Sequence, residues 1–430
     1  MAGHDDAAGD EDASFWARAG VRRPRFVGGN RIDLLQGGDE LFPRLCAAID
    51  SAEREVWFAT YIFSDDAAAR RLADALVAAA RRGVAVYVVV DGFGSLATLH
   101  TLRGWLHAES VHLEVFRPLD RWYAWLQPGQ LRRLHQKLCV VDESVAFVGG
   151  INIIDDRHDL RHGWGDAPRL DFAIELRGPL ALQVHATARA MWSRANLGHS
   201  WRGEARLLAR SAAPMARTRA LLRRLRIPRP RRSDAAPQQP MRAAFIVRDN
   251  LRQRRAIERS YVDAIRAARS RVDIAVPYFY PGHGFMRALR QAGRRGVAVR
   301  LLLQGKIDYR FAALAARVLY DDLRARGVRI FEYTPAFLHA KVAVVDDDWA
   351  TVGSSNIDPL SLLLNLEANV VVRDRDFARA LAERFDAAVA LSAEVLTAPL
   401  HGGWRGWLQR GLVAWCANVY LRIAGITGRY

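Results

Sequence analysis

The sequence has little cysteine and no long hydrophobic run. Its three cysteines, Cys46, Cys139 and Cys416, are odd in number and far apart, which argues against a disulfide framework or a zinc-ligand spacing. Such sparse cysteine is compatible with a reducing compartment. No stretch reaches the roughly 18 uncharged apolar residues that a membrane-spanning helix requires. We therefore expect no spanning helix.

Lysine is the scarce residue type whose positions say most about this protein. The 63 Lys and Arg residues comprise only three lysines, and two of these fall in a His-x-Lys-x4-Asp pattern that occurs twice. Arginine is a planar fork, whereas lysine is a compact charge on a thin stem, so lysine at matched positions indicates that arginine would not serve there. The duplication predicts one catalytic centre built from two halves. The two copies consist of His135, Lys137 and Asp142, and of His339, Lys341 and Asp346.

Length and charge limit the possible partners. A chain of 430 residues with half of them apolar is long enough for two globular domains. Its formal net charge of +17 favours an anionic partner, either nucleic acid or an anionic lipid surface. A basic proteome, or solubility, would explain the same charge without such a partner.

Internal duplication extends well beyond the two motifs. Residues 81–86 and 294–299 both read Arg-Arg-Gly-Val-Ala-Val. Each string follows a helix-like segment and a strand-like run that ends in aromatic residues, at 55–63 and 271–279. Strands that alternate with helices predict α/β layers with largely buried sheets. We expect two homologous α/β domains packed about a pseudo-twofold axis, each a mostly buried mixed sheet flanked by helices.

The composition divides the chain into five segments. Residues 1–24 are acidic and rich in Ala and Gly, which is typical of a disordered tail, and the segment between the repeats is rich in Arg and Pro, which is typical of an exposed linker. The expected boundaries are 1–24 for the tail, 25–200 for the first domain, 201–243 for the linker, 244–400 for the second domain and 401–430 for an amphipathic segment.

Small and polar residues near the motifs complete the expected site. On a strand, residues two apart face the same side, so the histidine and lysine of each motif should project together. Small residues after each strand should offer free backbone N–H groups to a phosphate. Asp171 and Glu367 are the candidate carboxylates for orienting the two histidines. The supporting positions are Gly149, Gly150, Asn152, Ser354, Ser355 and Asn356.

Two imidazoles and two ammonium groups around one phosphate suit phosphodiester exchange. Histidine can be a nucleophile, an acid or a base near neutral pH. One histidine would attack phosphorus to form a phospho-histidine, and the other would protonate the departing oxygen and then deprotonate the incoming alcohol. The lysines and asparagines would stabilise charge on the non-bridging oxygens. We therefore expect neither a metal nor another cofactor.

These residues resemble the HxKxxxxD hallmark of the phospholipase D superfamily, which is followed by a Gly/Asn segment and normally occurs twice per active site. The second motif, from Leu338 to Ser361 with 365–369 behind it, looks like that of bacterial cardiolipin synthases, and most like their type B form. The likeness covers about 25–400. It implies two phospholipase D-like domains and transfer of a phosphatidyl group from one phosphatidylglycerol to another, giving cardiolipin and glycerol. It also implies that the six motif residues are catalytic, with His135 as nucleophile and His339 as acid and base.

Two tryptophan-rich segments suggest contact with lipid. In 401–430, tryptophans at helical spacing with flanking arginines suit a helix in the headgroup zone, or one that docks on the second domain. The loop 119–133 adds aromatic and basic residues that would cover acyl chains, stack on bases or cover the core. We expect a peripheral protein on the cytoplasmic face of the cell membrane, with anionic phosphatidylglycerol as substrate and no nucleic-acid partner. The sequence does not specify the oligomeric state.

Three other functions are compatible with parts of the pattern. A phospholipase D hydrolase would pass the phosphatidyl group to water. A phosphodiesterase or nuclease would use the positive charge for nucleic acid. A non-catalytic membrane-binding scaffold would need neither motif, and both motifs are intact here.

Overall fold

The computed structural model describes residues 24–107, 110–118, 132–160, 162–209, 214–225, 241–249, 253–306, 320–358 and 365–396, without side-chain detail at 199–209 and 214. The predicted tail (all but its last residue), most of the loop 119–133 and the C-terminal segment 401–430 lie outside the described residues. The predicted linker is described only in part, so the domain boundaries stay a prediction.

The first half of the chain folds around a mixed sheet. Seven strands form it, in an order in which three neighbouring strands at one edge are parallel and the other pairs are antiparallel. The strands described in this half are β1 Arg31–Gln36, β2 Glu55–Thr60, β3 Ala85–Asp91, β4 Val111–Phe116, β5 Arg133–Leu134, β6 Lys137–Val141, β7 Val145–Gly149, β8 His158–Asp159, β9 Gly163–Trp164 and β10 Phe172–Arg177. The order across the sheet is β1-β10-β7-β6-β2-β3-β4.

The second half repeats this architecture. Its strands are β11 Arg242–Arg248, β12 Arg271–Ala275, β13 Ala298–Gln304, β14 Val328–Tyr333, β15 Val342–Val345, β16 Trp349–Gly353, β17 Asn365–Arg373 and β18 Ser392–Glu394. They lie in the order β11-β17-β16-β15-β12-β13-β14-β18. Apart from β18 at one edge, this is the order of the first sheet. The predicted fold of two homologous α/β halves with mixed sheets is therefore confirmed.

Helices follow the strands in matching places. Two of them begin at an aspartate whose side chain accepts the first free N–H groups: Asp66 accepts from Ala69, and Asp374 accepts from Phe377. The helices that flank the sheets are α1 Gly37–Asp50, α2 Ala67–Arg81, α3 Leu99–Trp105, α4 Ala181–Ala209, α5 Pro214–Leu225, α6 Ala256–Ala267, α7 His283–Arg294 and α8 Arg375–Ala390.

Each sheet is buried on both faces. Helices α1, α2 and α3 cover the outer face of the first sheet, and α6 and α7 cover the outer face of the second. The inner faces share one continuous core with α4 and α8, to which Val148 of β7 and Val352 of β16 both belong. Full burial of one such side chain contributes about 1.5–3 kcal/mol. The two halves are therefore held together by a core of their own, and residues at its edge are fixed relative to one another.

Candidate active site

The histidine of each motif lies in a short segment that contacts the opposite half. In the first half β5 pairs in parallel with β17, and the N–H of His135 donates to the Leu366 carbonyl at 3.0 Å. In the second half the N–H of His339 donates to the Leu170 carbonyl at 2.8 Å. The prediction that each histidine and lysine share a strand is wrong for both motifs: His135 and Gln136 lie between β5 and β6, and His339, Ala340 and Lys341 precede β15. In the first half the strand is interrupted because β5 pairs with the other half's sheet.

Each imidazole contacts a carboxylate of the other half. His135 Nδ1 lies 3.0 Å from Glu367 Oε2, and His339 Nδ1 lies 2.6 Å from Asp171 Oδ2. Both carboxylates are buried. A carboxylate that accepts Nδ1–H fixes the tautomer and leaves the Nε2 lone pair available for chemistry. The structure thus brings both predicted carboxylates to the histidines, each across the interface between the halves.

The two motif lysines are buried beside the histidines. Lys137 Nζ donates to the His135 carbonyl at 2.9 Å, and Lys341 Nζ donates to the His339 carbonyl. Burial lowers the pKa of Lys137 to about 7, with a further contribution from the charge of Lys341. Burial also lowers the pKa of Lys341 to about 8. The charge of one lysine therefore acts on the other across the interface.

Both imidazoles are affected by the charges of the two motif lysines. Burial and the charges of Lys341 and Arg169, with smaller effects from Lys137 and His135, lower the pKa of His339 well below its usual value. Burial also lowers the pKa of His135, against the opposing effect of Glu367. Groups of both motifs thus perturb one another, and the two halves form a single site.

Three side chains hold the Glu367 carboxylate. His135 and the Ser354 hydroxyl both contact Oε2, and Arg248 at the end of β11 lies 3.5 Å from Oε1. Burial alone would raise the pKa of Glu367, but the charges of His135 and Arg248 hold it below its usual value. Arg248 was not predicted, because one arginine among sixty carries no signal in the sequence.

Asp171 has different surroundings. Its Oδ1 accepts from the Phe172 N–H at 2.8 Å, and burial raises its pKa to about 6 against the lowering effect of Lys341. Gly150 lies against this carboxylate, and a Cβ at Gly150 would collide with Oδ1. The glycine is therefore required by the close approach of Asp171.

The backbone N–H groups predicted to bind a phosphate already have acceptors. Those of Gly150 and Ser354 donate to the carbonyls opposite them in the sheets, at 2.9 Å and 3.0 Å. The N–H of Gly353 donates to the Lys341 carbonyl at 3.2 Å, and that of Ser355 donates to Asn369 Oδ1 at 3.3 Å. The expectation that these N–H groups are free is wrong, because the sheet and its edge use them.

The remaining predicted small and amide residues have mixed surroundings. A Cβ at Gly149 would lie 2.5 Å from Ala173 Cα, so this glycine permits the close pairing of β7 with β10. Asn152 is buried, and its Oδ1 accepts from the Ile62 N–H at 3.3 Å. Asn356 has a buried Oδ1 with no hydrogen-bond partner among the described residues. The two asparagines therefore remain candidates for contact with a bound group.

The motif aspartates lie at the other end of the motif strands. Asp142 accepts hydrogen bonds from the N–H groups of residues 53, 54 and 55 at 2.8–2.9 Å. Asp346 accepts from the matching N–H groups of residues 269, 270 and 271. Both adopt a positive φ of 50°. Five residues of strand span about 16 Å, so the structure places these aspartates with the turn that starts β2 or β12 and not with the lysines.

Two residues that the sequence did not indicate lie beside the first motif. The Tyr61 ring centroid is 5.0 Å from that of His135, and Lys137 Nζ lies 5.4 Å from the Tyr61 ring. Asp91 is fully buried and accepts from the Leu134 N–H at 2.7 Å. Tyr61 follows β2 and Asp91 is the last residue of β3, so both lie at strand ends, where functional residues of α/β sheets gather.

One group of side chains in the described part of the chain has the spacing of a metal site. It comprises Glu55, Glu143 and His185. Glu55 lies 3.0 Å from Nε2 of His185 and Glu143 lies 3.5 Å from Nδ1, so the carboxylates approach opposite nitrogens of one ring. This arrangement suits a histidine that joins α4 to the start of β2. It lies at the opposite end of β2 from the candidate active site.

Two matched α/β halves whose His-x-Lys segments meet at their interface define a duplicated fold of the phospholipase D type. The family model described as cardiolipin synthase, PLD-like domain, matches residues 45–162 and 261–389, one segment in each half. The chain belongs to this family.

Curated relatives support the assignment over most of the chain. Cardiolipin synthase B of Escherichia coli (strain K12) is 34% identical over 378 residues, which cover 85% of this chain and 82% of the relative. Cardiolipin synthase B of Salmonella typhimurium is 35% identical over 365 residues, covering 82% and 79%. Phosphatidylserine synthase of Haemophilus influenzae Rd KW20 has a TM-score of 0.63 at 13% identity, covers 95% of this chain and 97% of that structure, and shares the fold.

Proposed function

We propose that the protein is a cardiolipin synthase. It is a phosphatidyltransferase that moves the phosphatidyl group of one phosphatidylglycerol to the free hydroxyl of another, giving cardiolipin and glycerol. The observation that carries the proposal is the crossed pair of contacts, His135 with Glu367 and His339 with Asp171, in one buried site. The family and the 34% identity to cardiolipin synthase B support the choice of substrate.

The proposed reaction has two steps. In the first, Nε2 of His135 attacks phosphorus, the bond from phosphorus to the headgroup oxygen breaks, and His339 gives that oxygen a proton. Glycerol leaves, and a phosphatidyl-histidine remains. In the second, His339 takes the proton of the second lipid's hydroxyl, whose oxygen attacks phosphorus as the phosphorus–nitrogen bond breaks. The proposed cycle uses no metal and no cofactor.

The exposure of the two histidines supports this division of roles. The acid and base must meet two alcohols in turn, one leaving and one arriving. The His339 side chain is 24% exposed, whereas that of His135 is 11% exposed. His339 is therefore the more accessible group, and His135 is better shielded for a covalent intermediate.

Charge in the site supports an anionic substrate. Lys137 and Lys341 would stabilise the charge that grows on the non-bridging oxygens, and Asn152 and Asn356 would donate to them. A bound phosphodiester would offset the cations that lower the pKa of His339, and so favour the protonated imidazole that the first step needs.

A lipid substrate implies a membrane surface. Among the described residues, no helix is both long and apolar enough to cross a bilayer. We propose peripheral attachment on the cytoplasmic face through the Trp/Arg-rich segment 401–430, helped by the net charge of +17.

The test mixes purified protein with phosphatidylglycerol vesicles, with and without EDTA, and separates the lipid products. We expect cardiolipin and glycerol in equal amounts and no effect of EDTA. His135→Ala and His339→Ala should each abolish transfer. His283→Ala is the matched control, because His283 is exposed on α7. Full activity in either active-site variant would refute the shared site.

The same assay separates the alternatives. Phosphatidic acid in place of cardiolipin would indicate a phospholipase D hydrolase. DNA cleavage without lipid turnover would indicate a nuclease. Vesicle binding with no turnover of either substrate would indicate a scaffold.

A further inference from the structure

The residues behind the two orienting carboxylates differ at one matched position. In the second half, Arg248 is paired in register with Glu367 across β11 and β17. In the first half, β1 pairs with β10 up to Gln36 and Phe172, and the next residue, Gly37, donates its N–H to the Asp171 carbonyl at 2.9 Å. Arg248 and Gly37 thus occupy the same place in the duplicated fold.

Arg248 brings a buried positive charge to Glu367. The side chain is fully buried, with Nη2 3.5 Å from Glu367 Oε1 and Nη1 3.2 Å from the Ser355 hydroxyl. The other carboxylate oxygen, Oε2, contacts His135 and the Ser354 hydroxyl. A guanidinium away from water interacts with a carboxylate more strongly than it would at the surface. Glu367 is therefore held as an anion, with Oε2 hydrogen-bonded and Oε1 facing the buried charge of Arg248 without a hydrogen bond.

Gly37 makes room for a negative charge instead. It has a φ of +69°, and a Cβ there would lie 2.8 Å from Oδ2 of Asp156. Asp156 accepts from the Gly38 N–H, and the charge of Asp171 opposes its ionisation, while the charge of Arg169 lowers the pKa of both carboxyls. Where the second half has a guanidinium, the first half has a carboxylate.

These surroundings give the two imidazoles different chemistry. A firmly ionised Glu367 that does not take the Nδ1 proton keeps His135 in the tautomer whose Nε2 attacks, and it stabilises the positive ring of the phosphorylated histidine. A carboxylate with a second carboxylate nearby attracts a proton more strongly. Asp171 therefore supports the proton uptake that His339 must perform when the second alcohol attacks.

Building on the proposed function, we infer that Arg248 is a positioning residue that commits the His135–Glu367 pair to nucleophilic attack, while Asp156 commits the His339–Asp171 pair to proton transfer. Arg248 in place of Gly37 adds to the other differences between the two pairs, such as the Ser354 hydroxyl on Glu367 where the first half has Gly150.

The test follows the covalent step directly. Enzyme in excess over phosphatidylglycerol labelled with ³²P is quenched in alkali, where phosphorus–nitrogen bonds survive, and the adduct is located by mass spectrometry. We expect the label on His135. Arg248→Gln should slow adduct formation about tenfold or more, with a smaller effect on adduct breakdown. Arg248→Lys should restore part of the rate, since it restores the charge. Asp156→Asn should slow breakdown and leave formation close to normal.

Arg259→Gln is the matched control, because Arg259 is also buried in the second half but pairs with Asp263. An adduct on His339 would overturn the inference, as would an Arg248→Gln variant that forms adduct at the normal rate or slows no more than Arg259→Gln. If Arg248→Gln does not fold, Arg248→Lys is measured in its place. Equal slowing of adduct formation and adduct breakdown in that variant would overturn the inference. If the adduct forms on His135 but no cardiolipin is made, the proposed acceptor is wrong and this inference is unaffected.

Discussion

His135 Nδ1 lies 3.0 Å from a carboxylate oxygen of Glu367, although the two residues are 232 positions apart and belong to different halves. The reciprocal contact joins His339 to Asp171 at 2.6 Å. Neither half therefore supplies the carboxylate that its own motif histidine contacts. The interface core that holds the halves together also sets the geometry of the chemistry.

Glu367→Gln should lower kcat by about 10²–10⁴-fold, the range over which a positioned acid–base group acts. The amide can donate to Nδ1, which would favour the tautomer with its proton on Nε2 and block attack. The measurement is the initial rate of cardiolipin formation on phosphatidylglycerol vesicles. Glu383→Gln on the exposed face of α8 is the control and should behave like the unaltered protein. A Glu367→Gln variant with normal kcat would show that the contact is only structural.

Much of the fold follows from the sequence because the repeat is explicit in it. Matching strings at 81–86 and 294–299 imply matching sheets, and the two strand orders agree. The break between β5 and β6 could not be predicted, since pairing of β5 with β17 depends on how the halves meet. The periodicity of a sequence can indicate that a segment is a strand, but it does not indicate which strand pairs with it.

The candidate site, like the fold, could be predicted from the sequence only in part. Because lysine is scarce, its positions in the sequence indicate Lys137 and Lys341. Arginine is abundant, so the sequence does not single out Arg248. Spacing along the chain placed Asp142 in the site, but the five residues of β6 carry it to the far end of the strand. Which carboxylate serves which histidine depends on the crossing of the halves, and no local pattern records that crossing.

The kcat/KM for phosphatidylglycerol should fall as pH rises from 7 to 9. Burial lowers the pKa of Lys137 to about 7 and that of Lys341 to about 8, so the free enzyme loses the two ammonium charges over this range. A bound phosphate anion raises both values, so kcat should fall less steeply than kcat/KM. Initial rates at constant ionic strength measure both. A kcat/KM that stays level or rises between pH 7 and 9 would contradict the assigned role of the lysines.

Gly150→Ala should reduce kcat by about 10²-fold, as expected for a displacement of about 1 Å in a catalytic contact. The new Cβ would collide with Oδ1 of Asp171 and push that carboxylate away from His339. Gly284→Ala is the matched control, since a Cβ there meets nothing within 4 Å and alanine suits helix α7. Equal activity of the two variants would mean that Asp171 tolerates the shift.

Asp142→Ala should destabilise the protein by about 0.5–1.5 kcal/mol, the net contribution of hydrogen bonds whose donors water can reach once the carboxylate is gone, while kcat of the folded protein stays near normal. Asp142→Asn should destabilise the protein less, because asparagine keeps one acceptor oxygen and tolerates the φ of 50°.

Hydrogen bonds from residues 53, 55 and 54 hold the pKa of Asp142 below its usual value, although burial opposes them. The stabilisation by this carboxylate is therefore complete above about pH 4, the ordinary aspartate value, and is lost as pH falls through the lower folded-state value. Urea unfolding at pH 7 and at pH 3, with kcat at pH 7, tests this. A large loss of kcat with unchanged stability would instead put Asp142 in the catalytic machinery.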